Sequence, residues 1–249
     1  MQILKRLTNR TALVVGFVML GSTVLAAPAA VLKNASFDFG FVPQQAKISH
    51  VFQIMSTGDD TLKIVQVIPG CGCTKAPLEK SEIAPGESTC LEVIFSTGQY
   101  KGRVTKHPRI VTNEEQSERT LEFLSTVMSR PDSTYPLIIQ PAILDFTNSG
   151  NESLESISMI IRNVSDNAVA LKLIDFPEGI FEVKLPESIP AGGRSEATIR
   201  LADAKNAPGF EKSFTIELDD ASSTRFTVPV KLSTSTEVRH AKAQGLIER

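Results

Sequence analysis

The chain has 249 residues, a length that accommodates one or two domains. Hydrophobic residues make up 41%, enough for ordinary cores, while the absence of Trp and the presence of only two Tyr leave little for an aromatic recognition surface. A net charge of −2 with mixed signs argues against a nucleic-acid partner, which would want a basic face, and the low count of three histidines (His50, His107, His240) argues against a His-rich metal site or a His-based triad.

The N-terminus reads as a secretory signal over residues 1–26. Lys5, Arg6 and Arg10 form a positive start, Thr11 to Leu25 is the apolar stretch, and Ala26 and Ala27 supply the small residues of a cleavage site, expected after Ala26. The stretch is short for a transmembrane helix, so no membrane span is expected after cleavage; an uncleaved N-terminal anchor is the alternative. The expected location is the periplasm or the outside of the cell, where thiols tend to pair.

Beyond the signal, short apolar segments alternate with turn chemistry and no long segment has helical period. Phe37 and Phe39 open a strand; Ile48, His50, Phe52 and Ile54 share one face of the next, with Gln53 opposite. Ser56-Thr57-Gly58-Asp59-Asp60 is a turn, Leu62 to Ile68 a third strand, and Pro85-Gly86 a turn before Leu91, Val93 and Phe95 at period two. The same text then returns with an offset near 107 residues: Asp38-Phe39 as Asp145-Phe146, Phe52 and Ile54 as Met159 and Ile161, Ile83-Ala84-Pro85-Gly86 as Ile189-Pro190-Ala191-Gly192, and Leu91, Val93 and Phe95 as Ala197, Ile199 and Leu201. The fold class is therefore all-β: two tandem immunoglobulin-like β-sandwiches after a cleaved signal peptide. The expected boundaries are 34–129 for the first copy, 134–234 for the second and 235–249 for a polar tail, with a Pro-containing linker from Ser129 to Pro136.

The first copy carries an ordered set of motifs: Phe37-Asp38-Phe39-Gly40, His50-Val51-Phe52, Ser56-Thr57-Gly58, Cys71-Gly72-Cys73-Thr74, Ile83-Ala84-Pro85-Gly86 and Thr112-Asn113. In this set it resembles a family of exported bacterial proteins known as domain of unknown function 1573, over about Phe37 to Val127. That family is similar to immunoglobulin-like domains of the major sperm protein, pilus chaperone and Hydin group, so the resemblance implies export and a binding or scaffolding fold, with no common activity. Ser56 stands where the family usually has Asn, a departure expected to touch only the turn. The second copy has Thr147 in place of Gly40 and lacks the Cys-Gly-Cys-Thr segment.

That loss is an internal control: if both copies fold alike, the cysteines are not required for the fold. A Cys71–Cys73 disulfide is geometrically feasible, with Gly72 permitting a tight turn, but as a staple it is poor. Chain entropy gives about 1.6 kcal/mol for its three-residue loop, against about 3.3 kcal/mol for the twenty-residue loop that a Cys71–Cys90 bond would close. By alternation Cys90 faces away from the core, as its counterpart Glu196 does, which favours a free, partly exposed thiol. Three readings of Cys71, Cys73 and Cys90 stay open: a structural disulfide, thiol–disulfide exchange through a labile small ring, and Cu(I) binding by the thiolates of Cys71 and Cys73. Zinc would want a fourth ligand that no cluster supplies.

His50 reads as a core-edge histidine bonded to backbone, and a ligand role would need the Cys-Gly-Cys loop beside it. His107 precedes Pro108 in a basic stretch (Lys101, Arg103, Lys106, Arg109) that reads as a solvated face or a partner-binding edge. The sequons at Asn34, Asn151 and Asn163 are short matches, and the bacterial source that the resemblance implies gives them little weight. No phosphate loop, His-Glu-x-x-His or Gly-x-Ser-x-Gly is present, so no catalytic residue, no cofactor and no enzymatic activity are expected. The expected function is a non-enzymatic exported module that binds a protein or envelope partner through an edge strand. The alternative is a thiol-redox or copper(I)-handling protein acting through Cys71 and Cys73.

Overall fold

The structure, a computed structural model, describes residues 26–130, 132, 134–147, 154–204 and 207–233. The expected signal core and the polar tail from 235 lie outside the described residues, as does Asn151. No helix among the described residues is long and apolar enough to cross a membrane.

The first half contributes eleven strands: β1 (Ala30–Leu32), β2 (Ser36–Pro43), β3 (Lys47–Ser56), β4 (Leu62–Ile68), β5 (Thr74–Lys75), β6 (Glu82–Ile83), β7 (Ser88–Ser96), β8 (Gly102–Lys106), β9 (Arg109–Thr112), β10 (Glu118–Thr120) and β11 (Glu122–Met128). The second contributes nine: β12 (Leu137–Gln140), β13 (Leu144–Asp145), β14 (Ser156–Asn163), β15 (Val169–Asp175), β16 (Phe181–Lys184), β17 (Ser188–Ile189), β18 (Arg194–Leu201), β19 (Phe210–Leu218) and β20 (Arg225–Leu232). The elements follow the alternation. In β7, buried Thr89, Leu91, Val93 and Phe95 interleave with half-buried Ser88, Cys90, Glu92 and Ile94. Burying only every second side chain is what a strand on one face of a sandwich core requires. β1 lies ahead of the expected start at residue 34 and pairs with β3.

The duplication is visible as topology. One sheet of the first sandwich runs β1-β3-β7-β5, and its counterpart in the second runs β12-β14-β18-β16. In the facing layer of the first sandwich, β6 and β4 are followed by two strands that are each broken in the middle. β8 and β9 flank Pro108, and β10 and β11 flank Leu121, whose N–H donates to the Pro108 carbonyl (2.8 Å). Proline has no N–H to give a ladder, so the break falls there. Each sandwich has its own aromatic-centred core. Phe39, Phe52, Phe95 and Phe123 fill the first; Phe146, Phe181 and Phe214 fill the second.

The two sandwiches join edge to edge. β2 of the first pairs in parallel with β20 of the second at Phe41 and Phe226, giving a continuous eight-stranded sheet that ends at β8. Gly40 explains the close approach: it sits at φ +64°, and a Cβ there would lie 2.0 Å from the Arg225 carbonyl oxygen. In both copies the preceding aspartate makes the same turn, Asp38 Oδ1 accepting from Gly40 N–H (2.8 Å) and Asp145 Oδ1 from Thr147 N–H (2.9 Å). Only the first copy meets Arg225 at this point, so Thr147 can replace glycine in the second. Buried polar bonds complete the joint. Ser49 N–H donates to Ser213 Oγ (2.9 Å), which donates back to Ser49 O (3.1 Å), and Thr227 Oγ1 donates to Phe39 O (2.6 Å). Lys212 Nζ reaches both carboxylate oxygens of Glu92 at 2.6 Å, and Lys47 pairs with Glu211.

Candidate functional site

The loop from the end of β4 to β5 crosses from one sheet of the first sandwich to the other and carries the cysteines. Cys71 and Cys73 are joined by a disulfide, with Cα atoms 5.3 Å apart. The turn is closed by Thr74 N–H donating to Cys71 O (3.2 Å), and the loop is tied to the sheet by Ser96 N–H donating to Cys73 O (2.8 Å). Both cysteines are half-buried, and Cys73 packs against the core while Gly72 is exposed. Gly72 is not in the left-handed region and has open space where a Cβ would be, so the turn does not depend on it. The left-handed residue is Gly70, at φ +87°.

Two side chains reach the sulfurs, and a third stands behind one of them. A disulfide sulfur has no proton, so every hydrogen bond to it is donated by its neighbour. The buried Thr74 hydroxyl lies 3.4 Å from Cys71 Sγ and 3.8 Å from Cys73 Sγ. Tyr100 OH donates to Cys73 Sγ at 3.6 Å, and Lys106 Nζ donates to the Tyr100 oxygen at 3.1 Å, its ammonium 4.7 Å from the ring centroid. Tyr100 is 38% exposed and Lys106 is half-buried. Lys106 was legible only as one member of a basic stretch, and nothing local marked Tyr100, which stands 27 residues from Cys73 in sequence.

Cys90 is a free, half-buried thiol on the outward-facing set of β7. Cys73 sits beside Ser96 and Cys90 lies six positions back on the same strand, roughly 20 Å away at about 3.4 Å per residue. A bridge between Cys90 and the loop is therefore excluded in this fold. Burial, the charge of Glu79 and a hydrogen bond to Glu79 all push the Cys90 thiol above the ordinary cysteine value, which lowers its thiolate fraction.

His50 departs from the sequence expectation. Its Nδ1 meets the Asp175 carboxylate of the second sandwich at 3.0 Å, not backbone, and Phe37 stacks on its ring at 3.7 Å. It sits on β3, and β7 separates it from the Cys73–Thr74 side of the sheet, so the loop is not its neighbour. His50 belongs to the joint between the sandwiches. In the basic stretch, exposed His107 lies 3.7 Å from Glu122, Arg109 pairs with Glu118 at 2.9 Å, and Lys106 turns to Tyr100. Among the described residues no group of three or more His, Cys, Asp or Glu side chains is placed to hold a metal ion.

No curated protein sequence matches the chain. Solved structures to which the chain shows similarity include a protein of unknown function from Porphyromonas gingivalis W83 (12% identity, TM-score 0.34, covering 82% of this chain and 99% of that one). Another is WR4, an MSP family member of C. elegans (18% identity, TM-score 0.30, 41% of this chain and 100% of that one). A third is the ASH / PapD-like domain 7 of human CEP192 (9% identity, TM-score 0.32, 49% of this chain and 98% of that one). The first sandwich, with the cysteine loop inside it, matches over residues 30–127 the family described as "Protein of unknown function (DUF1573)".

Proposed function

We propose that the chain is a non-enzymatic, exported immunoglobulin-like module that binds a protein or cell-envelope partner in the periplasm or outside the cell. The observation that carries this reading is the open end of the eight-stranded sheet. β8 bonds β11 on one side and no strand on the other among the described residues, and Arg103 and Thr105 along it are exposed. An unpaired strand offers a row of backbone donors and acceptors to an extended segment, and Arg103 favours an acidic one. A photo-crosslinking residue at Thr105, used in the native compartment, is expected to trap a discrete partner, and Arg103→Glu is expected to abolish the adduct without changing the melt. An adduct indifferent to Arg103→Glu, or none, overturns the reading.

A second reading, thiol–disulfide exchange or copper(I) handling at Cys71 and Cys73, is favoured by one observation: a half-exposed disulfide in a three-residue ring, in a loop that the second sandwich does without. Copper binding would require the thiols first to be released, so a thiol count with disulfide mapping on protein from its native compartment separates these readings.

A further inference from the structure

We propose that the disulfide is chemically polarised: Cys71 Sγ is the sulfur attacked by an incoming thiolate, and Cys73 Sγ is the leaving group, its charge received by Tyr100 and Lys106. The inference rests on the thiol-exchange reading. The two sulfurs differ in their surroundings. Cys73 is held to the sheet by Ser96 N–H at 2.8 Å, packs on the core, and accepts from the Tyr100 hydroxyl at 3.6 Å. Among the described residues the Thr74 hydroxyl is the only hydrogen-bond partner of Cys71 Sγ, and Cys71, unlike Cys73, does not pack on the core. Thr74 reaches both sulfurs and does not discriminate between them. Tyr100 does, because its proton points at one sulfur and its oxygen is already occupied by the Lys106 ammonium at 3.1 Å. A hydrogen bond donated to an ionised acceptor is about twice as strong as one between neutral groups, so this chain of donors gains strength as Cys73 takes on charge. A leaving thiolate that is better stabilised departs faster.

The co-reactant is a dithiol, on a partner protein or a small molecule. One of its thiolates attacks Cys71 Sγ; the new sulfur–sulfur bond forms as the Cys71–Cys73 bond breaks, and the bonding pair stays on Cys73 Sγ. The second thiolate of the dithiol then attacks its own sulfur in the mixed disulfide, and the pair of that bond leaves on Cys71 Sγ. The dithiol loses two electrons and two protons and becomes a disulfide; Cys71 and Cys73 gain both as thiols. Tyr100 touches a reacting atom, whereas Lys106 acts through Tyr100 as a positioning residue.

The test uses the full mature chain with Cys90→Ser, so that only the loop sulfurs react. Oxidised protein is treated briefly with reduced glutathione, acid-quenched, alkylated and mapped by peptide mass spectrometry. Glutathione is expected on Cys71 and the alkyl group on Cys73, in an excess of about tenfold, with Tyr100→Phe slowing the reaction about fivefold. The separated thiols give an independent readout. In Cys71→Ser the lone Cys73 thiol is expected to ionise at lower pH than the lone Cys71 thiol of Cys73→Ser, read by ultraviolet absorbance of the thiolate. Lys106→Gln is expected to move the ionisation of Cys73, and not that of Cys71, to higher pH, with Lys106→Arg restoring it. Adducts spread equally or favouring Cys73, or thiols that ionise alike, overturn the polarity while leaving exchange itself standing. A disulfide that reacts with neither glutathione nor dithiothreitol in the folded protein overturns both.

Discussion

Ser56 and Asn163 hold the same place in the two copies, and their difference is chemical. Asn163 is fully buried; its Nδ2 donates to the carbonyls of Asn167 (2.7 Å), Pro190 (3.0 Å) and Ile189 (3.1 Å), and its Oδ1 accepts from Ser165. Ser56 is equally buried, and its hydroxyl has no hydrogen-bond partner among the described residues. The sequence marked this serine as a departure confined to the turn; the structure shows that only backbone bonds, Ser56 N–H to Glu87 O and Gly86 N–H to Ser56 O (both 2.9 Å), tie the turn to the loop after β6, without the side-chain bonds that Asn163 adds. Ser56→Asn is therefore expected to raise unfolding free energy by about 1–2 kcal/mol, measured by urea melts; an unchanged or lowered midpoint would refute it. Gly40 is the second informative residue. Gly40→Ala must either shift the Arg225 backbone or open the joint, and a left-handed φ adds its own cost, so a loss of roughly 2–4 kcal/mol is expected. The glycine was legible as part of a motif, but its reason was not, because the residue it meets is 185 positions away in the chain.

Among the elements, β7 and the β4–β5 loop decide how the cysteines can act. The register of β5 on β7, Thr74 opposite Phe95, places the loop at the far end of β7 from Cys90. The disulfide thus closes only a three-residue ring, and its entropic contribution is limited to about 1.6 kcal/mol. Replacing Cys71 and Cys73 together with Ser is expected to cost no more than about 2 kcal/mol in a denaturant melt, and Cys90→Ser less than about 1 kcal/mol. A loss of several kcal/mol in the double variant would make the ring a structural staple. The alternation of Leu91, Val93 and Phe95 was enough to turn Cys90 outward; the pairing of Cys71 with Cys73 rather than Cys90 needed the register, which alternation does not encode.

At the scale of the molecule, the joint couples two cores that the sequence presents as separate units. Besides ion pairs such as Lys212–Glu92, it holds buried bonds between side chain and backbone, such as Ser213 Oγ serving both the N–H and the carbonyl of Ser49. Ser213→Ala leaves that pair without its partner and is expected to cost about 1–3 kcal/mol. Residues 34–129 and 134–234, expressed apart, are each expected to unfold cooperatively, since each contains an aromatic core, but at lower denaturant than the full chain. Halves as stable as the intact chain would mean that the joint contributes nothing, and halves that do not fold would mean that it is obligatory.

Period-two alternation, turn residues and a repeat at constant offset are local properties, and they were sufficient for the all-β class, the two sandwiches and the outward direction of Cys90. Each follows from where a side chain stands relative to its own strand. The Asp175 partner of His50, the clash that demands Gly40, and the meeting of Tyr100 and Lys106 with Cys73 are of another kind. They depend on which strands become neighbours and in what register, and only the closed sandwiches and the edge-to-edge joint between them decide that.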